Sequence, residues 1–130
     1  MKNKKGNGIG NKCYTCNPRG TIKDHIISET ESFTFNHDLF SRPYIILTSK
    51  THYHDIYEIP DFIKLKLFED INSFVQFWNL NTNYQLIINN GELQTHHHFH
   101  CKIKVDPIIV NRMRRDHFAR INLEKNYSTH

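Results

Sequence analysis

Long apolar runs are missing from this 130-residue chain. The longest are Tyr44-Ile45-Ile46-Leu47 and Ile108-Ile109-Val110, against the roughly 20 residues that a membrane-spanning helix needs, so no membrane partner is expected. The first dozen residues, MKNKKGNGIGNK, also lack the apolar stretch that a secretory signal requires. Cysteine is scarce. Three residues cannot close a disulfide framework, and two of them sit as Cys13-x-x-Cys16. That favours a reducing compartment, the cytoplasm with the nucleus also open, and a metal or redox pair. Acidic residues are outnumbered, 13 against 17 basic ones, for a net charge of +4. Hydrophobic residues make up 38% and charged residues 23%, which is lean but sufficient for one core in one domain. No internal repeat is present. Histidine is what the chain has in excess: ten, four of them inside His96–His100.

Residues 1–12, with four Lys, three Gly and three Asn, read as a disordered basic tail. Three strands are expected at Thr21–Ile27, Ser32–Asn36 and Pro43–Ser49, where β-branched and aromatic residues are punctuated by Asn, Asp, Ser and Pro. Pro60-Asp61 opens a long helix over about 61–78. Ile63, Leu67, Ile71, Phe74, Val75 and Trp78 recur at steps of three and four and make one apolar stripe. Tyr84–Ile88 is a further strand, and Asn89-Asn90-Gly91 a tight turn. After Asp106-Pro107, residues 106–130 form a basic extension in which Met113, His117 and Ile121 line one face of a short helix. Its arginines alternate with no aromatic residue of the kind single-strand stacking needs, which weighs against nucleic acid.

Thr95–Val105 read as a strand divides its side chains between two faces. His96, His98, His100, Lys102 and Lys104 fall on one, and His97, Phe99, Cys101, Ile103 and Val105 on the other. The first is imidazole and ammonium, the second mostly core. Cys101 on the apolar face reads as core. Such a row of imidazoles suits metal binding, anion binding by protonated rings, or nucleophilic attack through a covalent histidine intermediate. Cys13-x-x-Cys16 alone is compatible with a redox pair, a zinc half-site or coincidence.

His96-x-His98-x-His100 resembles the signature of the histidine-triad (HIT) superfamily. Other segments follow in the same order. Phe35-Asn36-His37-Asp38 resembles the family's nucleoside-side strand and its Asp. Tyr44–His52 resembles the strand ending in Pro-Lys-x-His, with the long helix after it. Tyr84–Gly91 resembles the strand and Asn-x-Gly turn before the triad. The resemblance covers residues 13–105, taken as the HIT-like domain. There are departures: His97 and Lys102 stand where the signature has apolar residues, and Pro43-Tyr44 replaces a Gly-His. The family's Ser near the leaving group has no direct counterpart, leaving Thr95 or Gln94.

The resemblance implies an α+β fold, an antiparallel sheet of about five strands packed with one long helix and a short C-terminal helix. It implies hydrolysis or transfer at the α-phosphate of a nucleotide conjugate, through a nucleotidyl-histidine. His98 would be the nucleophile and His100 a donor to a phosphate oxygen. Asp38 would hold ribose hydroxyls, Asn89 a phosphate oxygen, with Thr95 and His96 completing the nucleotide site. A structural zinc would be held by Cys13, Cys16, His52 and His96. The family's habit of dimerising suggests a homodimer. Two other readings remain: a non-catalytic nucleotide-binding protein, and a zinc-stabilised nucleic-acid-binding module.

Overall fold

The computed structural model describes residues 13–80 and 83–128; the expected tail at 1–12 lies outside them. Chain order is α1 (Thr21–Asp24), β1 (Ile26–Glu29), β2 (Phe33–His37), β3 (Tyr44–Ser49), α2 (Asp61–Phe77), β4 (Tyr84–Ile87), β5 (His100–Val105) and α3 (Pro107–Ser128). The strands form one antiparallel sheet in the order β1-β2-β3-β5-β4, so β3 and β5 are central. This is the expected α+β architecture of five strands and a long helix.

Strand alternation decides what each face does. Phe33 and Phe35 on β2, Ile45 and Leu47 on β3, and Cys101 and Ile103 on β5 are buried in the core. The stripe of α2 covers them through Leu67, Ile71, Phe74 and Val75. The Phe35 and Phe74 rings stack 4.2 Å apart. Burying one such side chain stabilises the fold by about 1.5–3 kcal/mol. The opposite face carries the intervening residues, aligned across strands by the register Asn36↔Ile46↔Lys102 and Thr34↔Thr48↔His100. Among the described residues this face carries no long helix. Residues 14–25 lie over part of it, with Tyr14, Ile22 and His25 facing Asn36, Ile46, Thr48, His100 and Lys102 across a cavity.

Three expectations change. Thr21–Asp24 is one helical turn rather than the start of a strand; Gly20 precedes it in the left-handed region at φ 54°, which turns the chain before β1. The C-terminal helix is long, 22 residues. Val110 on it is fully buried, and His117 reaches the Asp24 carbonyl at 2.7 Å. Finally, β5 begins at His100, not Thr95. Its ladder with β3 ends at the pair Thr48↔His100, and β4 pairs only with residues 102–105. Residues 96–98 therefore have no strand to bond, and the period-two pattern stops having structural meaning there.

Candidate functional site: a Cys/His cluster beside a histidine-lined cavity

The first group gathers ligand-type atoms from three places. Cys13 and Cys16 stand on a turn closed by the Asn17 N–H donating to the Cys13 carbonyl at 3.0 Å. His52 follows β3, and His98 lies just before β5. The His98 Nδ1 is 3.5 Å from each sulfur and 3.0 Å from the His52 Nδ1, and the Cys16 Sγ is 3.1 Å from the His52 Nδ1. All four ligand atoms lie within 4.8 Å of one another. Ligands about 2.0–2.3 Å from a tetrahedral zinc stand about 3.3–3.8 Å apart, so the set needs only small adjustments to close on one ion.

The second nitrogen of His98 supports the same reading. Its Nε2 is 2.6 Å from the Ser49 carbonyl. A carbonyl only accepts, so Nε2 carries the proton and Nδ1 presents its lone pair to the cysteines. A backbone partner fixing the tautomer is usual for metal-bound histidine. Burial holds the His98 imidazole down at about 4 and lowers His52, so both are neutral at physiological pH. Burial, then the neighbouring Cys13, pushes the Cys16 thiol up to about 12. Without a cation in place the Cys16 sulfur keeps its proton.

The fourth member is thus His98, not His96 as expected. The face assignment changes with it: His98 is fully buried, and only His100 of the even row up to position 100 lies within the strand. With one nitrogen in the cluster and the other on Ser49, His98 has no ring nitrogen facing a substrate. The apolar backing is as expected, with Phe99, Cys101, Ile103 and Val105 buried.

The second group lines the cavity, about 310 Å³ in volume, on the face away from α2. His100, 8% exposed, sits at its wall with Nδ1 3.2 Å from the His98 carbonyl. The same logic puts a proton on Nδ1 and a lone pair on Nε2. His96 and Thr95 also line this cavity, and the rings of His96 and His100 stack at 5.5 Å. Burial, then His100, lowers His96 to about 4. Lys102 lies two residues beyond His100 on the same face, its ammonium 5.3 Å from the centre of the Tyr44 ring.

Asp38 lines the cavity but is committed elsewhere. One carboxylate oxygen accepts from the Phe40 N–H at 2.9 Å, the Arg42 N–H at 3.0 Å and Arg42 Nε at 3.1 Å; the other accepts from an Arg42 terminal nitrogen at 2.9 Å. Burial pushes this carboxyl up, but the bonds from Arg42 and Phe40 outweigh it and hold it below the ordinary value. Those bonds build the β2–β3 turn and leave little for a ribose. Asn36, two residues earlier, also lines the cavity, and its Oδ1 is buried without a hydrogen-bond partner among the described residues. The alternation Phe33-Phe35 into the core could have pointed to it. Asn89 is half-buried and is not among the residues that line the cavity. His97 packs edge-on against His54 at 4.1 Å and is not among the residues of the cluster or the cavity lining.

No family model matches the chain, and no curated protein matches its sequence. Solved structures do match. A histidine triad protein from Clostridium difficile is similar over 76% of this chain and 94% of its own, at 24% identity and TM-score 0.65. A HIT family hydrolase from Legionella pneumophila is similar over 71% and 90%, at 18% identity and TM-score 0.62. A member of the HIT family from Bacillus subtilis is similar over 75% and 73%, at 20% identity and TM-score 0.60. At this level of identity the likeness is one of fold.

Proposed function

Because the chain has the histidine-triad fold, we propose that it binds a nucleotide conjugate in the cavity beside His100 and cleaves it at the α-phosphate. The observation that carries the reading is the opposed use of two alternate histidines. His98 turns its lone pair into the cysteine cluster, and His100 keeps its own on Nε2 at the cavity wall. The family resemblance makes the first histidine of the triad the zinc ligand. The geometry therefore favours a register two residues later than the sequence suggests. His98 is the first member, His100 the second and Lys102 the third.

In this register His100 takes the nucleophilic role expected of His98. Its Nε2 lone pair forms a bond to the α-phosphorus, while the bond from phosphorus to the leaving group breaks and carries its electron pair away. The leaving group takes a proton from solvent. The Nδ1 proton stays in its bond to the His98 carbonyl and steadies the cationic ring. Water then attacks phosphorus as the bond from phosphorus to Nε2 breaks and returns its electron pair to the ring; the water's proton passes to solvent, and the nucleoside monophosphate leaves. Lys102 offers fixed positive charge to the phosphate oxygens. Asn36 takes the hydroxyl-binding role expected of Asp38. A zinc ion held by Cys13, Cys16, His52 and His98 would have no open coordination position and would supply rigidity rather than chemistry.

The test is intact-protein mass spectrometry after brief mixing with a panel of nucleoside 5′-phosphate conjugates. A transient adduct of one nucleoside monophosphate, mapped to His100 and absent from His100→Ala, is expected. Turnover by His100→Ala at the wild-type rate would refute the mechanism. One observation favours a second reading, nucleotide binding without turnover: Lys102 replaces the third histidine. In that case nucleoside monophosphate binds and no adduct forms.

A homodimer also fits. β4 is an edge strand, and α2 exposes Phe62, Leu65 and Phe68 at helical spacing. The three free thiols suit a reducing compartment. No helix among the described residues is long and apolar enough to cross a membrane.

A further inference from the structure

The turn between the two cysteines has side chains of its own. Bringing Cys13 and Cys16 to one point forces Tyr14 and Thr15 into a tight turn, and both hydroxyls reach one ring. The Tyr14 hydroxyl is 2.7 Å from the His96 Nδ1, and Thr15 Oγ1 is 3.1 Å from its Nε2. A neutral imidazole has one donor and one acceptor, and a hydroxyl can be either, so both bonds form in either tautomer. Tyr14 also packs edge-on against His96 at 4.7 Å. On its other side His96 stacks on His100. Along the chain it lies two residues from His98.

His96 is therefore held to the Cys/His cluster twice, through the backbone to His98 and through two hydroxyls to the cysteine turn. Its ring forms the cavity wall next to His100. We propose that Tyr14, Thr15 and His96 form a clamp that transmits closure of the Cys/His cluster to the nucleotide cavity. His96 is a positioning residue for the His100 ring, and metal binding and nucleotide binding are thermodynamically coupled through it. The inference rests on the reading of the cavity as a nucleotide site. It gives the cysteine turn a role that a purely structural metal centre would not have. Coupling of this kind is reciprocal, and ordinarily spans about 5–150-fold in affinity.

The experiment uses the full chain, zinc-loaded and chelator-treated, with adenosine and guanosine 5′-monophosphate as probes in calorimetry. In the wild type, loading zinc should tighten nucleotide binding about tenfold. The double variant Tyr14→Phe/Thr15→Val removes two hydroxyls and little volume. It should still hold one zinc per chain, bind nucleotide about tenfold more weakly than the loaded wild type, and show no change in nucleotide affinity on chelation. A double variant that keeps the wild-type coupling overturns the clamp. A second readout does not depend on nucleotide: the ring nitrogen NMR shifts of His100 in the zinc-loaded protein. They should move in the double variant, and unchanged shifts overturn the clamp as well. If the wild type binds neither monophosphate, the nucleotide reading fails, and these shifts alone decide the clamp.

Discussion

His37 makes the chain's response to acid calculable. It ends β2 on the core side, 1% exposed, with its ring edge-on to His117 at 5.0 Å and tilted against Phe118 at 6.3 Å. Its Nδ1 has no hydrogen-bond partner among the described residues. Burial, and then the nearby His117, Arg114 and His25, lowers its pKa to about 3, against about 6.5 in an unfolded chain. Between those values the unfolded state binds a proton here and the folded state does not. Stability contributed at this position is therefore full above about pH 6.5 and falls as the pH drops toward 3. The slope approaches about 1.4 kcal/mol per pH unit, and the integral from pH 7 to pH 5 is about 2 kcal/mol. His37→Phe keeps a planar ring against Phe118 and removes the titration. Urea unfolding of both proteins at the two pH values isolates the effect, because other buried histidines respond alike in both. The wild type should lose about 2 kcal/mol more than the variant. Parallel losses would show that His37 is not held neutral by its surroundings.

Further outcomes follow from the same structure. Cys16→Ser should reduce bound zinc well below one per chain by elemental analysis. Zinc uptake by the metal-free wild type should release protons, because the Cys16 thiol is pushed up to about 12; calorimetry in buffers of different ionisation enthalpy measures this, and uptake without proton release would contradict it. Asp38→Ala leaves two turn N–H groups and the Arg42 guanidinium without their acceptor, and should cost about 1–3 kcal/mol in denaturant unfolding. Phe35→Ala opens a void against Phe74 and should cost about 3–5 kcal/mol in the same assay. The proposed homodimer should appear in sedimentation velocity of the wild type and be lost in Leu65→Glu, with the helix content unchanged; a wild type that sediments as a monomer would refute it.

The elements with a strong internal pattern were legible. The stripe of α2 and the alternation from Phe99 through β5 match the core residues. Three of the four clustered residues, Cys13, Cys16 and His52, came from the family resemblance, since Cys-x-x-Cys alone left a redox pair and coincidence open. His98 did not, because the resemblance put the first triad position at His96, and alternation in sequence continues through Thr95 while the hydrogen-bonded ladder stops at His100. Only the partner strand reveals that end. Asp38 misled for a similar reason. A carboxylate at the end of a strand looks available, and what occupies it is Arg42, whose approach depends on the geometry of the intervening turn. Thr21 and Ile22 are β-formers, yet a helical turn holds them. Asp24 at its end anchors α3 through His117 and Lys125, contacts from the far end of the chain.

The strand order also divides the chain into two locally assembled pieces. β1, β2 and β3 form a meander from consecutive segments, and β4 and β5 form a second antiparallel pair nearby in sequence. A single seam joins them, β3 against β5, from Tyr44↔Lys104 to Thr48↔His100. Closing contacts so distant along the chain is the slow part of assembling a sheet. Cys13, Cys16 and His52 belong to the first piece and its trailing loop, and His98 and His100 to the second. Neither piece alone holds the cluster or the cavity. In order of synthesis, the β3 edge has no β5 to pair with until residues 100–105 have been made. Completion of that seam is also the moment at which the site first exists.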